Sequence, residues 1–110
     1  MELETRHCKP CEGGVSAHDA DRVKELLQEV DGWEVNGDST AIQKTFKFDN
    51  FHWTMAFVNA VAWFSHQEDH HPDLEVGYNR CTIHYSTHAI GGLSDNDFIC
   101  AAKADALVRD

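Results

Sequence analysis

Positive charge is what this 110-residue chain has least of. Lysine and arginine number 9 against 19 aspartates and glutamates, a formal net charge of −10. The deficit argues against nucleic acid and against anionic membrane as partners, because both are gripped through lysine and arginine. A neutral or cationic small molecule, or another protein, fits better. Long apolar runs are also missing, and no stretch approaches the ~20 residues of a membrane-spanning helix. The opening MELETRHCKPCEGG lacks a basic start followed by an apolar run, so no secretory signal is expected. The expected setting is therefore reducing and cytoplasmic. There is no G-x-G-x-x-G, P-loop, G-x-S-x-G or H-E-x-x-H pattern. Internal repeats, low-complexity stretches and linkers are absent as well.

What remains suits one domain around one core, with 42% hydrophobic residues. Residues 1–14 read as a flexible arm ending in Gly13-Gly14, and residues 15–110 as the domain. A first helix is expected from Ser16, with Ser16 and Asp19 as a capping pair and Val15 as a staple. Val23, Leu26, Leu27 and Val30 carry its apolar face, and Gly32 supplies a left-handed stop. A hairpin follows. Trp33-Glu34-Val35 is short, Asn36-Gly37-Asp38 turns, and residues 40–48 alternate, with Ile42, Phe46 and Phe48 on one face. Asp49 or Asn50 opens a second helix over residues 51–68. Its apolar positions cover more than one stripe, which predicts burial on two sides, under a sheet and against a partner subunit. Pro72 ends that region and pushes His71 out of helical backbone. Strands are expected over residues 74–78 and 81–87, joined by a turn at Asn79-Arg80. Ser94 and Asp97 then cap a last helix running to about Val108. The order is helix-strand-strand-helix-strand-strand-helix. It predicts an α+β fold, a four-stranded antiparallel sheet with three helices packed on one face.

Chemistry concentrates in HQEDHHPDLEVGYNRCTIHYSTH, residues 66 to 88, which holds His66, His70, His71, His84 and His88. In a hairpin of the third and fourth strands, the start of one lies beside the end of the other. His70, His71 and His88 therefore converge at one sheet end, with His66 one helical turn before His70 and His84 further inward. A single histidine is comfortable on any surface; three that meet suggest more. Glu68 and Asp69 sit beside them. Such a cluster can hold acid and base forms together near neutral pH, which suits a reaction that donates one proton and accepts another. A zinc or iron site is the rival reading, since these side chains are competent ligands. Adjacent His70 and His71 diverge, however, and make a poor ligand pair. The C-x-x-C of Cys8 and Cys11 has no second pair to complete it and reads as incidental, or at most a loose metal site. Cys81 and Cys100 fall in strand and helix patterns and are expected as small buried residues, not disulfide partners.

His70-His71-Pro72, Tyr78-Asn79, Ser86-Thr87-His88 and Gly92-Leu93-Ser94 with Asp97 resemble the motifs of the pterin-4a-carbinolamine dehydratase family. Gly32-Trp33 and FKFDNF match as well, so the likeness runs from about residue 16 to the C-terminus. The resemblance implies the same four-stranded, three-helix fold. It implies an enzyme that removes water from a 4a-hydroxytetrahydropterin to give quinonoid dihydropterin, after an aromatic amino acid hydroxylase has used the cofactor. No metal and no cofactor are implied. His70, His71 and His88 carry over as catalytic. Asp69, Ser86, Thr87 and Ala89 join them as substrate-binding residues, with Asp97 and His66 supporting. His66 stands where many members have glutamate, so the negative charge there is lost, and Glu68 or Asp69 becomes the substitute. A homodimer or homotetramer through residues 51–68 is expected. Some family members are dimerisation partners of a transcription factor, which makes an interaction module the alternative to an enzyme, beside a histidine-rich metal-binding protein.

Overall fold

The fold, taken from a computed structural model, is described for residues 3–10 and 16–109. In chain order it comprises α1 (Ala20–Leu27), β1 (Glu34–Val35), β2 (Ile42–Lys47), α2 (Phe51–Glu68), β3 (Asp73–Val76), β4 (Arg80–Tyr85) and α3 (Asp95–Val108). Single 3-10 turns occur at Leu3–Thr5 and His88–Ile90. The strands form one antiparallel sheet in the order β1-β2-β4-β3. The α+β architecture expected from the sequence is the one observed.

Two hairpins make this sheet by joining at β2 and β4, where Ile42 faces Tyr85 and Phe46 faces Cys81. Strand alternation then sorts the side chains. Ile42, Phe46, Cys81, Ile83 and Tyr85 are buried on one face. Gln43, Thr45, Lys47, Thr82 and His84 occupy the other, where the Thr45 and Thr82 hydroxyls bond at 2.7 Å. Beneath the buried face runs α3, with Asn96 through Ala102 and Ala104 all buried. Each large apolar side chain so enclosed contributes about 1.5–3 kcal/mol.

Local chemistry sets the helix ends. α1 begins at Ala20, four residues later than Ser16, because Asp19 itself is the cap and accepts from the Arg22 amide at 2.9 Å. The His18 amide instead donates to the Leu93 carbonyl (2.8 Å), which ties residues before α1 to the loop before α3. Val15, the expected staple, and the Gly13-Gly14 pair lie outside the described residues. Past Leu27 the chain tightens into three-residue turn bonds as far as Val30, and Gly32 takes the left-handed conformation at φ 80°. Asn50 caps α2 through the Trp53 amide at 2.9 Å.

The end of α2 positions the site. Asp69 is left-handed (φ 52°), its amide reaches the His66 carbonyl, and the His70 amide reaches Ser65. This double bond-back is a Schellman stop. Glycine usually fills that position, since a side chain there costs roughly 1–2 kcal/mol. Tertiary structure overrides the preference and delivers His70 to the sheet end.

The described part of the N-terminal segment lies along α3. Leu3 is buried at 2% exposure, and Lys103 donates to the Glu4 carbonyl at 2.8 Å. Arg6 pairs with Asp95 at 3.3 Å.

Candidate active site

β3 and β4 bring the histidine-bearing segments together. Asp73 faces His84 and Leu74 faces Ile83. Continuing that register leads His70 and His71 to the residues just after β4. There Thr87 bridges to Gly92, and His88 opens a 3-10 turn instead of closing the strand as expected. A cleft of about 500 Å³ opens at this end. Asp69, His70, His71, Ser86, Thr87, His88 and Ala89 all line it.

His70 is the fixed member of the group. Its side chain is 11% exposed and its ring stacks on Tyr85, with centroids 5.8 Å apart and planes 11° off parallel. Nε2 lies 2.7 Å from Asp97 Oδ1. A carboxylate only accepts, so Nε2 carries a hydrogen, and in the neutral ring Nδ1 then holds the lone pair. Asp97 is 0% exposed yet well supplied. Its Oδ2 accepts from the Thr87 hydroxyl (2.7 Å) and from the Ser94 amide (3.0 Å). Since Thr87 gives its hydrogen to the carboxylate, the Ser94 hydroxyl donates to Thr87 at 2.8 Å. The capping box of α3 is thereby also the mount for His70, and both roles expected of Asp97 fall on one carboxylate. His71 and His88 are exposed.

Two histidines stay apart. His66 is exposed on α2 and is not part of the cleft lining. His84 lies on the outer sheet face, where Nε2 pairs with Glu75. Of the two carboxylates suggested to replace a glutamate at position 66, Asp69 and Glu68 both line the cleft. The Glu68 side chain is 7% exposed and accepts from the Cys8 amide at 2.6 Å and from His7 Nδ1 at 2.9 Å. Burial pushes its carboxyl up, but the bonds from His7 and Cys8, with Lys103 nearby, more than offset this and hold it below the usual carboxylate range.

Cys8, Lys9, Pro10 and Asn96 also line the cleft, and sequence reasoning did not find them. No periodicity marks an arm whose apolar anchors among the described residues are Leu3 and the partly buried Cys8. Cys8 Sγ sits 3.5 Å from Cys100 Sγ, and Cys8, Cys81 and Cys100 are free thiols. Contact with Cys8 and burial push the Cys100 thiol strongly up. Cys11, the other half of the C-x-x-C, lies outside the described residues. Among the described residues no three histidine, cysteine, aspartate or glutamate side chains are grouped as metal ligands would be.

Residues 16–107 match the family model described as Pterin 4 alpha carbinolamine dehydratase. A protein from Nitrosospira multiformis, provisionally named pterin-4-alpha-carbinolamine dehydratase, is 57% identical over 108 residues, covering 98% of this chain and 94% of its own. The crystal structure of a transcriptional coactivator/pterin dehydratase from Brucella melitensis is similar at a TM-score of 0.82 and 29% identity, covering 86% of this chain and 100% of that one. A pterin dehydratase-like protein identified as a RuBisCO assembly factor in the alpha-carboxysome is similar at a TM-score of 0.61 and 26% identity, over 69% of this chain and 88% of that one.

Proposed function

The chain belongs to the pterin 4 alpha carbinolamine dehydratase family, and on that premise we propose that its cleft removes water from a 4a-hydroxytetrahydropterin. The observation that carries this reading is the cleft itself, where His70, His71 and His88 share one lining and His70 is held by the buried Asp97. The elimination breaks the C4a–O bond and the N5–H bond, forms C4a=N5, and releases water and quinonoid dihydropterin. A base takes the N5 proton and an acid gives a proton to the departing hydroxyl. His70 serves as the base, because donating Nε2–H to Asp97 leaves Nδ1 with its lone pair. His88, on the opposite segment, serves as the acid. His71 holds the pterin, with Asp69, Ser86, Thr87 and Ala89 around the ring. Neither a metal nor a cofactor takes part.

In this reading the protein is a cytoplasmic enzyme of tetrahydrobiopterin recycling, placed after an aromatic amino acid hydroxylase. The test is to add it to such a hydroxylase with limiting tetrahydropterin and a dihydropterin reductase. Sustained turnover, unchanged by EDTA, is expected. Turnover lost with EDTA and restored by zinc would support a metal site instead.

A second reading rests on α2. Thr54, Phe57, Val61 and Ser65 form its buried stripe, while Trp53 is 57% and Trp63 68% exposed. That apolar surface suits a homodimer or homotetramer, and it would equally serve an interaction module. The two readings coexist on separate faces.

A further inference from the structure

The N-terminal segment was left without a role by its sequence, and the family match begins after it, at residue 16. Its residues 8–10 nevertheless form part of the cleft lining. We propose that Cys8-Lys9-Pro10 is a fixed substrate-binding wall of this cleft, against which the bicyclic ring system of a reduced pterin packs. The inference rests on the dehydratase reading for its ligand class, though not for the existence of the wall.

Two anchors hold the wall. On the α3 side, the Asn96 side chain binds the Lys9 backbone in both directions: Lys9 N–H donates to Oδ1 at 3.0 Å, and Nδ2 donates to the Lys9 carbonyl at 2.6 Å. On the α2 side, the Cys8 amide donates to Glu68. These bonds engage the Cys8 amide and both backbone groups of Lys9. The Cys8 thiol lies 3.8 Å from the Asn96 carbonyl and 3.5 Å from Cys100 Sγ, so what the segment can turn to a ligand is chiefly the Pro10 ring and the stem of Lys9. Proline fixes φ near −65° and has no N–H to satisfy, so the surface is ordered before the ligand arrives. A preorganised apolar wall adds binding to ground state and transition state alike. It should appear in KM and not in kcat.

Two variants separate the wall from the catalytic histidines. Asn96→Ala removes both Lys9 bonds to α3 while keeping a good helix former, and Pro10→Gly removes the ring surface without touching either anchor. Both should raise KM by about tenfold, the effect of losing one or two net hydrogen bonds or a comparable contact, with kcat within about twofold of the parent. A second readout does not depend on turnover. In a Cys11→Ser background, a stable 7,8-dihydropterin should slow alkylation of Cys8 severalfold, and Asn96→Ala should abolish that protection. Unchanged KM in both variants, with melting temperatures near the parent's, would overturn the proposal. So would a fall in kcat at constant KM, or alkylation of Cys8 indifferent to the pterin. If the parent protein fails to dehydrate the carbinolamine yet the dihydropterin still protects Cys8, the dehydratase reading falls and the wall stands.

Discussion

Among single residues, His70 differs from its neighbours in being both largely enclosed, at 11% side-chain exposure, and oriented. Asp97, Thr87 and Ser94 fix one of its nitrogens, which is how acid–base groups are held to one tautomer. His70→Ala and His88→Ala should each lower kcat by about 10²–10⁴-fold above the uncatalysed background, while His71→Ala mainly raises KM. Steady-state rates of the three variants check this. A kcat loss in His71→Ala with KM unchanged, alongside the reverse in His70→Ala, would exchange the roles. Tyr85 supplies a contrasting case. Its ring stacks on His70, while its buried hydroxyl has only the equally buried Ser65 hydroxyl nearby, with no well-formed hydrogen bond to either among the described residues. Burial pushes the phenol well above its ordinary value, and Cys100, Cys8 and Asp97 add to this, so it holds its proton throughout the working range. A buried hydroxyl left without a well-formed hydrogen bond costs up to about 1–3 kcal/mol. Tyr85→Phe should therefore leave the melting temperature unchanged or raise it, and should keep activity because the stacked ring remains. A marked loss of stability would show that the hydroxyl has a partner in solution.

Elements differ in how far the sequence announced them. α2 and α3 were legible to within a residue because each carries its own signals: Asn50 before an apolar run, and a Ser94–Asp97 capping box. The strands were legible from alternation, and their hairpin brought His70, His71 and His88 together as expected. α1 was misplaced because two residues able to cap stand three apart, and only tertiary bonding at His18 selects Asp19. The short turn at His88 has no periodicity to find. The N-terminal wall was invisible for a deeper reason, since its order comes from Glu68, Asn96 and Lys103, all more than fifty residues away in sequence. That dependence gives a pH prediction. The Glu68 carboxyl lies below its usual value in the fold. Its contribution is therefore complete above the unfolded carboxylate range and is lost as pH falls through the folded value. Hydrogen exchange at the Cys8 and Lys9 amides should accelerate, relative to the amides of α3, on acidification across that window. Glu68→Gln should show fast exchange at those amides already at neutral pH. Equal protection in the variant would mean that charge on Glu68 does not hold the segment.

On the scale of the whole molecule, the sheet's buried face and α3 make a closed core, while α2 keeps large aromatics exposed around its remaining surface. Trp53 and Trp63 are two of them, and Phe51, on the other flank of the buried stripe, stacks on the exposed Tyr78. One sheet face cannot cover a helix that is apolar on two sides, and large exposed patches of this kind mark interfaces. Light scattering at micromolar concentration should give a dimer or tetramer, and Trp63→Glu should shift it towards monomer. A monomeric parent would remove the oligomer from the account. The cleft lies at the sheet end, and its chemistry is tested by a separate measurement. The most direct measurement is the rate at which a freshly generated 4a-hydroxytetrahydropterin loses water, followed by absorbance with and without the protein. Dehydration well above the spontaneous rate, retained in EDTA and reduced towards that rate by His70→Ala, is the expected result. A parent protein that leaves the spontaneous rate unchanged while binding a dihydropterin would contradict acid–base catalysis in this cleft.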